Sequence, residues 1–169
     1  MSDDIRTWID KLEIQELIYR YSDGVNRGDL TAIRSVFADD ALWESPLLGF
    51  RHESADAFVD FFSVNTITSE LLIQTPHCPV IELTGPDSAR ATTTIHEFSK
   101  GTAVEDGPFG PQGAEINFQD YGIYYDDLAR IDGEWKFTHR HFVPTYLESG
   151  VVNGEAPIER SKLIGRATA

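Results

Sequence analysis

The sequence predicts an α+β domain in which about three helices pack on one face of a strongly bent, antiparallel or mixed sheet and enclose one apolar pocket. Three observations carry this. Apolar residues recur at three- and four-residue steps up to residue 65, the period shortens toward two beyond residue 70, and turn residues separate the long strand-like runs. Helices first and long strands afterwards leave a sheet covered on one side, and a bent sheet has an inside.

Ile14, Leu17, Ile18, Tyr21 and Val25 form the buried stripe of a first helix that begins before Trp8. Gly24 and Gly28 weaken its end, and Asp29 is placed to cap a second helix whose Leu30, Ile33, Val36 and Phe37 share a face. A short strand is expected over 41–44. A third helix is expected over 54–65, capped by Ser54, with Ala57, Phe58, Phe61 and Phe62 inward. Four long strands follow, over 70–83, 88–100, 115–130 and 134–146, with hairpin turns at TGPD (84–87) and DG (132–133). Segment 101–113 is rich in Gly and Pro around Phe109 and reads as a surface loop or pocket lid. Residues 1–149 make a single domain and 150–169 a C-terminal tail with few apolar residues, draped over a neighbour or loose.

A chain of 169 residues with 41% hydrophobic and 11% aromatic residues has the material for one core of its own. Its net charge of −14 repels phosphate backbones and anionic headgroups, so neither nucleic acid nor a membrane is expected as partner, and neutral or cationic small molecules are favoured over anionic ones. Cys78 is the only cysteine, which excludes an intramolecular disulfide and a cysteine-based zinc cluster. The start, MSDD, lacks the basic and apolar regions of a secretion signal, and no stretch approaches the ~18 apolar residues of a membrane span. A reducing, cytoplasmic location is the expectation.

The segments YSDGVNRGDL (21–30), ADDALW (38–43) and GIYYDDLARIDGEWKF (122–137), in that order and spacing, resemble the SnoaL-like, nuclear-transport-factor-like superfamily over roughly residues 8–146. The resemblance implies a cone-shaped fold. It also implies kinship with scytalone dehydratase, hexachlorocyclohexane dehydrochlorinase and bile-acid dehydratase, which use an Asp–His pair as general base without metal or organic cofactor. His77, in QTPHCP, matches the family histidine; Trp43 matches a pocket aromatic, Tyr21 an assisting tyrosine, and Tyr124 and Arg140 pocket positions that bind substrate. The family aspartate falls on Asn26 here. An amide can orient an imidazole but cannot stabilise its charged form as a carboxylate does. Asp23, three residues earlier on nearly the same helical face, is the candidate for the missing charge.

Read from the residues alone, His77 is either a general base or a strand histidine satisfied by backbone. Pairing across the 84–87 turn puts His96 opposite about residue 75, one diagonal step from His77, which suits a joint acid–base role unless Pro79 introduces a bulge. A simple hairpin at 132–133 pairs Tyr124 with His141; an added bulge residue would pair it with Arg140 and turn His139 and His141 away from the pocket. No metal is expected, since no third ligand accompanies these two histidines at diagnostic spacing. The resulting expectation is a cofactor-free, dehydratase-like lyase or isomerase. Its substrate would be a small, largely apolar cyclic or aromatic molecule, with His77, Asn26, Tyr21 and His96 catalytic and Trp43, Tyr124 and Arg140 binding substrate. The family implies a homo-oligomer, trimer or dimer. The alternatives are a non-catalytic ligand-binding protein or small subunit of a ring-hydroxylating dioxygenase, favoured by Asn26, and a polyketide cyclase.

Overall fold

The first helix, α1 (Asp3–Arg27), buries the stripe its periodicity announces: Ile14, Leu17, Ile18, Tyr21 and Val25 are all in the core. The structure, a computed structural model, describes residues 3–103, 106 and 111–149. The Asp29 side chain accepts from the Ala32 amide at 3.0 Å and starts α2 (Leu30–Ser35). Strand β1 (Phe37–Ser45) is longer than sequence suggests, and a tight turn leads into β2 (Phe50–His52). Ser54 Oγ accepts from the Ala57 amide at 3.1 Å to cap α3 (Ala55–Thr68). On α3, Ala55 and Phe58 are buried, whereas Ala57 is exposed, because the helix phase is set by the Phe58 side docking on β1.

The expected strand over 70–83 is two strands, β3 (Ser69–Pro76) and β4 (Val80–Gly85), both paired with β5 (Ser88–Thr102). Pro76 pairs with Ile95 and Val80 with Thr92, so one extra residue is accommodated in the HCP segment between them. Proline cannot donate to a ladder, which fits a break at Pro79. Strands β6 (Glu115–Ile131) and β7 (Glu134–Ser149) complete a seven-stranded sheet of order β2-β1-β7-β6-β5-β3, mixed because β1 runs parallel to β7. The β6–β7 turn is the two-residue loop Asp132–Gly133, both at positive φ (51° and 86°), the geometry whose twist matches the strands it joins. Segment 101–113 is tied at its base by Ala103 and Ala114, whose backbones bond at 2.9 Å; residues 104, 105 and 107–110 of the expected lid, and the whole tail, lie outside the described residues.

The sheet curves around α1 and stays open, an α+β architecture with three helices on its concave side. Register shifts at Tyr121/Gly122 and Asp127/Leu128 bend β6 and β7 where the curvature is needed. Gly122 lets the Phe142 ring lie directly on the sheet, because a Cβ there would fall 2.1 Å from Phe142 Cε2. Arg130 of β6 reaches Asp10 and Glu13 of α1 and stacks 4.6 Å from the Trp135 ring, pinning the helix to the sheet. No described helix is long and apolar enough to cross a membrane.

Candidate active site

Strand alternation decides which side chains see the concave side. On β5 the odd residues Ala89, Ala91, Thr93 and Ile95 are buried, and the same phase carries Glu97 and Ser99 inward; on β6 the even residues Asp120, Tyr124, Asp126 and Leu128 are buried. Between this surface, α1 and α3 lies a cavity of about 220 Å³. Trp43, Leu48 and Phe50 from β1 and the turn to β2, with Phe61 and Phe62 from α3, make an aromatic wall in which Trp43 stacks on Phe50 (4.3 Å) and Phe58 (4.6 Å). Tyr21 supplies the helix side; Leu72, Gln74, Glu97, Ser99, Phe118, Asp120, Tyr124, Phe142 and Leu147 supply the sheet side.

Two of those sheet residues are acids, and they face each other: Glu97 and Asp120 are direct partners in the β5–β6 ladder. Directly opposed side chains on one face have Cβ atoms about 4.5–5.5 Å apart, where like charges repel. Asp120 is 4% exposed, and its Oδ1 is buried without a hydrogen-bond partner. Burial, then the charge of Glu97, push its carboxyl up to about 8. One proton is therefore held at the pair near neutral pH.

A hydrogen-bond chain runs behind the pair. Asn26 treats Gln74 as a neighbouring strand would: its Oδ1 accepts from the Gln74 amide at 2.6 Å and its Nδ2 donates to the Gln74 carbonyl at 3.1 Å. Ser22 Oγ donates to Gln74 Oε1 at 3.0 Å, and Gln74 Nε2 donates to Glu97 (2.9 Å) and to the Tyr124 hydroxyl (3.0 Å). Every polar atom of the Gln74 amide is thereby used, and Glu97 is aimed into the cavity. Burial raises the pKa of Tyr21 and raises that of Tyr124 further, so both stay neutral hydroxyls.

Arg140 shares the inner face with Tyr124, as expected, but by a different register. The bulge lies on β7 at Thr138 instead of on β6, so Tyr124 pairs with Phe142 and Arg140 with Asp126. The Arg140 side chain is fully buried behind the pocket wall. It is bonded to Asp126 twice (2.7 and 2.9 Å), and its guanidinium lies 4.0–4.2 Å from the ring centres of Tyr21, Tyr124 and Phe137. Burial opposes its charge, but the Asp126 carboxylate outweighs burial and holds the guanidinium protonated. It does not line the cavity.

The structure separates the expected catalytic group. Thr75 pairs with His96 as anticipated, and His77 bonds through its backbone amide to Thr94 at 2.8 Å, so both histidines are on one face. That face is the outer one, because Gln74 and Ile95 occupy the inward phase. His77 is exposed; His96 stacks on Tyr121 at 4.4 Å and its Nε2 lies 2.9 Å from Gln119. Neither reaches the cavity, and Asn26 meets Gln74 instead of an imidazole. Asp23 is exposed and paired with Arg27 at 2.6 Å. His139 is outside as well, against Glu44 at 3.1 Å. Tyr21, Trp43 and Tyr124 do line the pocket. Gln74, Glu97 and Asp120 were missed; an acid continuing the buried phase of β5 after Ile95 was the available signal. His52, also overlooked, packs into the aromatic wall 4.6 Å from the Phe61 ring, and burial lowers its pKa. Among the described residues no group of three or more His, Cys, Asp or Glu is placed to hold a metal ion.

The family model described as "SnoaL-like domain" matches residues 6–141. The chain belongs to this family. Two solved structures from Novosphingobium aromaticivorans share its fold. One is described, provisionally, as a scytalone dehydratase (18% identity, 95% of this chain and 97% of that one, TM-score 0.72). The other is described, equally provisionally, as an aromatic ring hydroxylase (19%, 83% and 93%, TM-score 0.69). A hexachlorocyclohexane dehydrochlorinase, LinA type 2, is as similar (17%, 92% and 98%, TM-score 0.74). At these identities the likeness shows the SnoaL-like fold and not a shared reaction. No curated protein sequence matches.

Proposed function

We propose that this SnoaL-like protein is a cofactor-independent lyase or isomerase that moves a proton on a small, largely apolar cyclic or aromatic molecule, with the Asp120–Glu97 pair doing the work expected of His77. The observation that supports it most is the carboxyl pair itself, set in an aromatic cavity with Asp120 raised to about 8. A catalytic acid or base is most effective when its pKa lies near the working pH, and opposed carboxylates in an apolar site reach that condition by burial and mutual repulsion. The ionised Asp120 takes a proton from carbon. The neutral Tyr124 or Tyr21 hydroxyl donates to an oxygen that gains charge, and the protonated carboxyl then returns the proton to another carbon or to a leaving oxygen. Gln74, fixed by Asn26 and Ser22, positions Glu97. The dehydratase and dehydrochlorinase descriptions of structural neighbours agree with proton-transfer chemistry in such a pocket.

The test uses 5-nitrobenzisoxazole, a small apolar aromatic whose C–H proton is taken by a base while its N–O bond breaks to give a nitrile and a phenolate. Wild type is expected to accelerate the reaction, with a rate that rises through about pH 8. Asp120→Asn is expected to lose about 100-fold, and His77→Ala to keep the wild-type rate. Equal rates for wild type and Asp120→Asn would remove the catalytic reading and leave the ligand-binding one.

A further inference from the structure

The pocket is asymmetric in charge. Its sheet side carries Glu97 and Asp120, and none of the described lining residues is a Lys, Arg or His. The buried Arg140 of β7 stands behind Tyr21 and Tyr124 and is committed to Asp126. Asp120 Oδ1 is buried and has no partner, while the residue around it is 4% exposed and lines the cavity. A buried acceptor left open costs free energy that a donor entering the cavity would recover.

The rest of the wall discriminates between kinds of cation. Two carboxylates are too few to strip a divalent metal of its water, and aromatic rings offer it no oxygen ligands. The same rings favour an organic cation, whose charge is attracted to their faces and whose carbon body they desolvate. Net charge −14 draws cations toward the chain as a whole.

We propose that the ligand carries a protonated primary or secondary amine, seated between the carboxylates of Glu97 and Asp120, with its cyclic or aromatic body against Trp43, Phe62 and Phe118. The ammonium donates to the Asp120 carboxylate, whose Oδ1 has no partner in the free protein, and supplies the counter-charge that the free protein replaces with a retained proton. The titratable groups facing Asp120 are then accounted for: Glu97 shares the ammonium, and Tyr124 and Tyr21 remain neutral hydroxyls. A cavity of about 220 Å³ falls below the ~300–1,000 Å³ of drug-sized sites, which limits the ligand to one or two rings. This inference rests on the proton-transfer reading only in placing both acids in the pocket. It adds the charge of the substrate.

Binding of benzylamine, benzyl alcohol and benzoate to the whole protein, followed by Trp fluorescence and calorimetry, tests it. Benzylamine is expected to bind at least about tenfold more tightly than benzyl alcohol, and benzoate more weakly than either. In Glu97→Gln and Asp120→Asn, with folding checked by circular dichroism, the preference for the amine should shrink to about twofold or less while benzyl alcohol affinity is kept. Benzylamine binding no tighter than benzyl alcohol, including no binding of either up to about 10 mM, overturns the proposal, as does a preference that survives both substitutions. The two readings fail separately. A wild type that shows no amine preference but turns over 5-nitrobenzisoxazole removes only the substrate class; a wild type that prefers the amine without turnover removes only the catalysis.

Discussion

Replacing Asp120 by Asn keeps the side chain's shape and removes its titration, which turns the carboxyl pair into a measurable stability. In the folded protein the Asp120 carboxyl is raised from 3.8 to about 8. Because the folded value lies above the unfolded one, the native state holds a proton that the unfolded chain has already released throughout that window. The Asp120 contribution is therefore least unfavourable below pH 3.8, declines as pH rises, and reaches its floor above about 8. Inside the window each pH unit costs the native state about 1.4 kcal/mol, on the order of 5 kcal/mol in all. For a chain of this length 1 kcal/mol moves Tm by about 2–4 °C, so the full effect is on the order of 10–20 °C. The assay is thermal unfolding of wild type and Asp120→Asn from pH 5 to 9. Wild type should lose ground steadily against the variant and stop losing it above about pH 8, with the variant the more stable protein at pH 9. Parallel profiles would mean that Asp120 ionises as in the unfolded chain and would refute both the shared proton and the chemistry built on it. The expected outcome, a more stable and less active variant, is how a strained functional site behaves.

Two further perturbations test the frame around the pair. Arg140→Met strands the Asp126 carboxylate in the core and should cost about 3–5 kcal/mol in chemical denaturation, with part of the loss recovered by adding Asp126→Leu. Asn26→Asp should destabilise by about 1–3 kcal/mol, because a carboxylate can accept from the Gln74 amide but cannot donate to its carbonyl. If Asn26→Asp instead raised both stability and 5-nitrobenzisoxazole turnover, the role given to Asn26 as a clamp on Gln74 would be wrong.

Much of this protein was legible along the chain. The helix stripe through Tyr21 and Val25, the Asp29 and Ser54 caps, the Asp132–Gly133 turn and the pairing of His96 with residue 75 follow from interactions within a few residues or across one short turn. Side-chain alternation put His77 and His96 on one face, and the SnoaL-like segments identified the fold. Which face was inside is not a local property. It depends on where α1 lies against the sheet, and there Asn26 and Ser22 take hold of Gln74, three residues before the histidine the sequence favoured. The bulge at Thr138 moves the β6–β7 register by one residue, which decided that Arg140 meets Asp126 behind the wall. Glu97 and Asp120 are 23 positions apart, joined through segment 101–113, whose length gives no pairing rule; only the closed β5–β6 ladder sets them opposite each other. Sequence determined the elements because their causes are short-range, whereas the site is made of cross-strand contacts and burial, which exist only once the sheet has curved around the helix.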